Sequence, residues 1–322
     1  MLTEVMREYG LKKPPVDLGF FETEHHKQVA LDLRAAIGGG RLIALTAVIG
    51  SGKTVLTRQL REDLEREGKV TVSRSVMLEK AKVTVPLLLS ALFYDLSGEK
   101  VVTISSQIER RDRDLQDLFR RSKRPVALFI DDAHDLHPKT LIALKRLMEL
   151  VVGIAQLSIV LIGHPKLKND LKRPTMEEIG DRMTVFEFGG LRDQQREYIT
   201  WALGQCLAEG VAIADVLTDD AIAKLATKLK TPLQIGRHLV RAFEAGFEAG
   251  VKPIDATVVE GVLSARIDDL EPQLTRHGYD AKSIADQFGA KPAEVVQLFR
   301  NTLDAGRARE LVDEMRAAGL PV

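Results

Sequence analysis

Ala47-Val-Ile-Gly-Ser-Gly-Lys-Thr54 puts small residues, a lysine and a hydroxyl into one short loop. Gly50 and Gly52 can turn backbone N–H groups inward around phosphate oxygens. Lys53 would reach the β- and γ-phosphates of a nucleotide, and Thr54 would hold Mg²⁺ through its hydroxyl. Val48, Ile49, Gly50, Ser51, Gly52, Lys53 and Thr54 are thus the candidate nucleotide-binding residues. The pattern is that of a P-loop, G-x-x-x-x-G-K-[ST], with Ala47 in place of its first glycine. A second constellation, Val126-Ala-Leu-Phe-Ile-Asp-Asp-Ala-His134, ends an apolar run on paired acids. Asp131 would hold Mg²⁺, and Asp132 would orient or deprotonate an attacking water. Both fit a Walker B motif, with Asp132 where Glu is usual. The shorter side chain predicts slow hydrolysis. The alternative role for the acids is to cap a helix starting near His137. A metal site at His134 and His137 is not required, because Mg²⁺-nucleotide explains the acids. Packing or hydrogen bonding suits these histidines better.

These residues need elements to position them. Leu42-Ile-Ala-Leu45 reads as a strand before the loop, and Val55–Leu64 as the helix after it, whose N-terminal dipole favours phosphate. Val70–Val76 reads as a second strand and Leu157–Gly163 as a buried one. Thr184–Phe188 reads as the last strand. Helices are expected up to the triple glycine Gly38–Gly40 and over Val85–Leu96, Ser105–Ser122 and the stretch to Leu150. Lys12-Lys-Pro-Pro15 is an extended joint. Strands alternating with helices imply a parallel sheet covered on both faces. From Asp193 the pattern is helical only, with Thr231 as an N-cap before Pro232.

The 322 residues are 45% hydrophobic and 29% charged with zero formal net charge, which fits a globular protein and excludes a global electrostatic pull on nucleic acid. The single cysteine, Cys206, excludes intrachain disulfides and reads as core. No apolar run approaches the roughly 20 residues of a membrane span. The N-terminus lacks a signal-peptide pattern, so a cytoplasmic location is expected.

With both motifs in view, and with Phe20-Phe-Glu-Thr-Glu-His-His26 and Leu161-Ile-Gly-His-Pro-Lys-Leu167 beside them, the chain resembles an AAA+ ATPase. The flanking motifs resemble the group holding the ExeA-type secretion ATPases and the transposition ATPases of the MuB, TnsC and TniB kind. The resemblance spans roughly residues 15–270, judged by motif order. It implies an α/β fold: a parallel-sheet P-loop core (41–191) with an all-α lid (192–270). A lead-in segment (1–40) precedes the core, and a small helical module (271–322) follows the lid. His164 takes the sensor-1 place, and Arg182 the place of an arginine finger, with Arg173 as its rival. Sensor 2 is commonly Pro-Arg at a helix start, where this chain has Pro232-Leu233. Arg237, one turn on, is the substitute. A finger acts on a neighbour's nucleotide, so a ring or filament is implied.

Transposition ATPases of this group wrap duplex DNA, which assigns Lys80 and Lys82 after the second strand to the DNA backbone. Lys139, Lys145 and Arg146 form one further basic set, and Lys166, Lys168, Lys172 and Arg173 another. For any single lysine, ordinary surface charge is the simpler reading. Ser283–Arg300 fits a helix-turn-helix, with Ala285, Val295 and Leu298 inward and Lys291, Gln297, Arg300 and Asn301 outward. Residues 271–322 carry seven Lys/Arg and eight Asp/Glu, so docking on protein is as good a reading as DNA binding.

The expected function is ATP-dependent DNA binding that regulates transposition, with ATP and Mg²⁺ as cofactors and a transposase as partner. The runner-up is a secretion ATPase like ExeA. Such proteins continue into a membrane segment and a wall-binding region, which counts against it. A third reading is a nucleotide-gated scaffold with little hydrolysis.

Overall fold

The computed structural model describes residues 2–16, 18–74, 84–98, 104–173, 176–180, 182–263 and 269–322. In chain order its elements begin α1 (Leu2–Glu8), α2 (Glu24–Gly38), β1 (Leu42–Ala47), α3 (Lys53–Glu67), β2 (Thr71–Arg74), α4 (Val85–Ser97) and α5 (Ile108–Ser122). They continue β3 (Val126–Ile130), α6 (Pro138–Leu150), β4 (Leu157–Gly163), α7 (Pro165–Leu171), α8 (Glu177–Gly180), β5 (Met183–Phe188) and α9 (Gln195–Cys206). Last come α10 (Asp219–Lys228), α11 (Pro232–Ala249), α12 (Ala256–Val262), α13 (Leu270–Arg276), α14 (Ala281–Phe288), α15 (Pro292–Phe299) and α16 (Ala305–Ala317).

The chain forms two compact units. One comprises Glu24–Ala47 and Thr54–Phe188; the other comprises Met1–Thr23, Val48–Lys53 and Gly189–Val322. The first holds a parallel sheet in the order β2-β3-β4-β1-β5. Every residue of β1, β3 and β4 is buried, so these strands read as near-continuous apolar runs, interrupted only by Thr46 and Ser158, rather than alternating ones. The edge strands β2 and β5 expose part of their length. Leu128, Ile130, Ile159 and Leu161 pack with Leu88, Leu92, Phe119 and Leu144 from the flanking helices. Burying one such side chain contributes about 1.5–3 kcal/mol. Ser158, near the start of β4, is fully buried. Its Oγ donates to the Ile37 carbonyl at 2.7 Å and accepts the Arg41 N–H at 3.0 Å. That pairing satisfies the hydroxyl and fixes the end of α2 against β4.

In the helical unit, α11 starts as its sequence requires. Thr231 accepts the Gln234 N–H, Gln234 Oε1 accepts the Thr231 N–H in return, and Pro232 takes the first turn. Helix α1 was not expected from the sequence. It docks through Tyr9, which is 1% exposed, meets the Phe243 ring at a tilt with centroids 5.0 Å apart and donates to the Val251 carbonyl at 2.7 Å. Gly246 makes room for this. A Cβ there would lie 2.6 Å from Tyr9 Oη and 2.9 Å from Ile254 Cγ1. Alanine would gain about 1 kcal/mol of helix propensity, but the overpacking costs about 1–3 kcal/mol. Gly246→Ala is therefore expected to lower the urea midpoint of unfolding. An unchanged or raised midpoint would show that α1 does not press on α11.

The small C-terminal module has its own core of Leu274, Tyr279, Ile284, Ala285, Val295, Leu298, Leu311 and Met315. Helices α14 and α15 meet at Gly289, whose φ of 62° ends α14 in a left-handed cap. Lys291, Gln297, Arg300 and Asn301 are exposed. Among the described residues, no helix is long and apolar enough to cross a membrane.

Candidate functional site

The P-loop leaves β1 at Ala47, which is still in register with Phe188 of β5 and 2% exposed. The position replacing the usual glycine therefore has strand geometry, which a small side chain adopts without strain. Left-handed backbone is needed further on, at Gly50 (φ 80°) and Gly52 (φ 98°). Both are glycine, as such angles demand. Helix α3 then begins at Lys53, which brings its N-terminus to the loop.

The loop is braced by α11 and α13. The Leu233 N–H donates to the Gly50 carbonyl at 3.3 Å, and the Ile49 N–H donates to the Arg276 carbonyl at 3.0 Å. A Cβ on Gly50 would meet Leu233 Cβ at 2.6 Å and Thr231 Oγ1 at 3.1 Å, so no side chain fits there. Leu233 thus touches the loop itself. Arg237 follows at i+4, on the same face of α11, and is exposed. Ser51 is 1% exposed, and its Oγ has no hydrogen-bond partner among the described residues. Paired glycines with left-handed φ, an orphaned hydroxyl and a helix N-terminus with lysine and threonine together fit a polyphosphate ligand.

In the sheet unit, Asp131 and Asp132 follow β3 and His164 follows β4, both at the carboxyl edge where open α/β sheets place ligands. Asp131 is half exposed and pairs with Arg61 Nη1 at 3.4 Å. The Arg61 guanidinium also lies 5.8 Å from the Phe129 ring centre. Sequence reasoning missed Arg61. Its signal was its place on α3, one heptad after Thr54 and so on nearly the same helix face. Asp132 adopts φ 51°, uncommon outside glycine and tolerated by aspartate. The acids do not cap α6. His137 does, with Nδ1 accepting the Lys139 N–H at 3.1 Å. His134 and His164, thirty residues apart, meet with ring centres 4.0 Å apart.

Arg182 precedes β5, whose Met183 pairs with Leu42 at the start of β1. It is therefore at the amino edge of the sheet, opposite Asp131, Asp132 and His164. It is exposed and lies 3.4 Å from Glu149 Oε1. Arg173, two residues beyond the end of α7, pairs with Asp170 of that helix at 2.8 Å. Of the basic sets, Lys145 is 14% exposed and 3.5 Å from Glu149, whereas Arg146 is exposed. Lys166 pairs with Asp170, and Lys168 with Glu187. Lys80 and Lys82 lie outside the described residues.

Fold and loop chemistry together define a P-loop AAA+ core. Residues 36–171 match the family described as AAA domain, an ATPase module that works with ATP and Mg²⁺. The chain is similar to the general secretion pathway protein A of Aeromonas hydrophila, at 28% identity over 187 residues. That match covers 55% of this chain and only 33% of the relative. Among solved structures, Drosophila ORC bound to DNA aligns with a TM-score of 0.53 at 16% identity, over 99% of this chain and 84% of that one. The Aeropyrum pernix ORC2 protein in ADPNP–ADP complexes aligns with a TM-score of 0.54 at 11% identity, over 96% and 88%. At such identities the likeness is one of fold.

Proposed function

We propose that this protein is an ATP-dependent DNA-binding regulator of transposition. ATP binding assembles subunits on duplex DNA, the assembly recruits a transposase, and hydrolysis releases it. The observation that carries this reading is the position of Arg182. Its sheet edge is opposite the one bearing Asp131, Asp132 and His164. An arginine so placed serves a neighbouring subunit, so turnover requires assembly.

Within the site, Val48–Thr54 hold the phosphates through backbone N–H groups and Lys53. Thr54 and Asp131 hold Mg²⁺, and Arg61 positions the Asp131 carboxylate. Asp132 accepts a proton from, or orients, the attacking water. His164 donates a hydrogen bond towards the terminal phosphate, and Arg237 supplies lid charge. When bound, Mg²⁺ neutralises charge developing on the phosphates.

Two observations support DNA as partner. The α14–α15 pair buries Ala285, Val295 and Leu298 and exposes Lys291, Gln297, Arg300 and Asn301, as a helix lying in a major groove would need. A similar fold, the Drosophila ORC structure, is bound to DNA. Lys80, Lys82, Lys145 and Arg146 are the proposed backbone contacts, of which Arg146 is openly presented. Binding of this type is non-specific and falls steeply with salt.

A second reading, a secretion-associated ATPase, is favoured by the match to general secretion pathway protein A, of which this chain spans a third. Sedimentation velocity separates the two. With a non-hydrolysable ATP analogue and Mg²⁺, the transposition reading expects large species that contain duplex DNA, and small species with ADP. Nucleotide-driven species that exclude DNA would favour the secretion reading.

A further inference from the structure

Asp132, His134 and His164 converge beyond the carboxyl ends of β3 and β4. A carboxylate oxygen and two imidazole nitrogens from these residues all lie within 4.8 Å of one another. They come from the ends of adjacent strands, β3 and β4, which hold them from two sides. The His134 side chain is 10% exposed, and its Nε2 lies 3.7 Å from Asp135 Oδ2. A carboxylate behind an imidazole is the outer-shell arrangement that orients a metal-ligating histidine. Gly163 permits the approach: a Cβ there would meet the His134 backbone nitrogen at 3.2 Å.

We propose that Asp132, His134 and His164 form a binding site for a divalent transition ion of the zinc class, whose occupancy blocks turnover. Two imidazoles and one carboxylate suit Zn²⁺, with water in the fourth position. Mg²⁺ demands six oxygen ligands in near-octahedral array and is a poor competitor for such a set. An ion about 2.0–2.1 Å from each ligand needs them roughly 3.3 Å apart, a closure that side-chain torsions supply. The blockade follows from shared residues and rests on the ATPase roles given above. An ion on Asp132 occupies the lone pairs that would face water, and one on His164 occupies the imidazole meant for phosphate.

The test uses the full chain, free of nucleotide and of any histidine tag, in Mg²⁺-free buffer. Co²⁺ is titrated and followed by visible absorption, and Zn²⁺ is then added. The only cysteine, Cys206, is buried, so thiolate bands do not interfere. The expected result is saturable ligand-field bands that Zn²⁺ displaces. His134→Ala should lose the bands, keep its Mg²⁺-ATP turnover, and resist Zn²⁺ inhibition. His164→Gln, a second variant, should also lose the bands. Asp135→Asn should weaken Zn²⁺ binding by about 10–100-fold. Absence of bands in the parent chain, or undiminished bands in both histidine variants, overturns the site. Saturating Zn²⁺ that leaves turnover unchanged overturns the blockade. The cobalt spectrum reads the site whether or not turnover is detectable, so failure of the ATPase reading is seen separately.

Discussion

Lys53→Ala is expected to reduce ATP turnover by about 10²–10³-fold or more, the scale for deleting a charged donor aimed at developing negative charge. The lysine sits at the first position of α3, directly after the Gly50–Gly52 turn, and is partly exposed. It contributes little to either hydrophobic core, so the thermal midpoint without nucleotide should hardly move. With ATP present the parent chain should gain stability by mass action, and the variant should gain less. Full turnover in Lys53→Ala would mean that the loop is a glycine-rich turn with a chance lysine.

Arg182→Ala should cost about 10³-fold in turnover, the lower end of the range for an arginine finger. The simplest rival account is a surface ion pair. Arg182 lies 3.4 Å from Glu149 with both side chains at least half exposed, and such a pair is worth about 0–1 kcal/mol. On that account turnover would not change. Mixing decides between them. Lys53→Ala subunits carry an intact Arg182, and Arg182→Ala subunits carry an intact loop. If the arginine serves a neighbour, an equimolar mixture of the two inactive variants recovers activity. If it acts within its own subunit, or not at all, the mixture gives no more than the average of its parts.

Much of this site was readable from the chain because its physics is local. β1, β3 and β4 are fully buried, so they stand out as apolar runs, and the acids after β3 mark where the run stops. Thr231 and Pro232 announce the start of α11 in two residues. Ala47, in place of the first loop glycine, is still strand and needs no special backbone. The unread features depend on contacts between distant residues. Helix α1 is only seven residues long and takes its place through Tyr9, whose partner Val251 is 242 residues away. Arg61 gains meaning only once Asp131 is folded beside it. Leu233 looked like a missing arginine, whereas the structure shows it packed on Gly50. No periodicity brings His134 to His164, because sheet order alone makes β3 and β4 neighbours.

On the proposed function, ATP, and not ADP, commits this protein to DNA. The most direct measurement is fluorescence anisotropy of a labelled random-sequence duplex at fixed moderate salt, with Mg²⁺ and either a non-hydrolysable ATP analogue or ADP. The account predicts binding with the analogue, little with ADP, and a steep loss as salt is raised. Equal binding in both nucleotide states would contradict the switch and leave the α14–α15 pair as a constitutive DNA contact. Absence of binding in either state would contradict the DNA reading altogether.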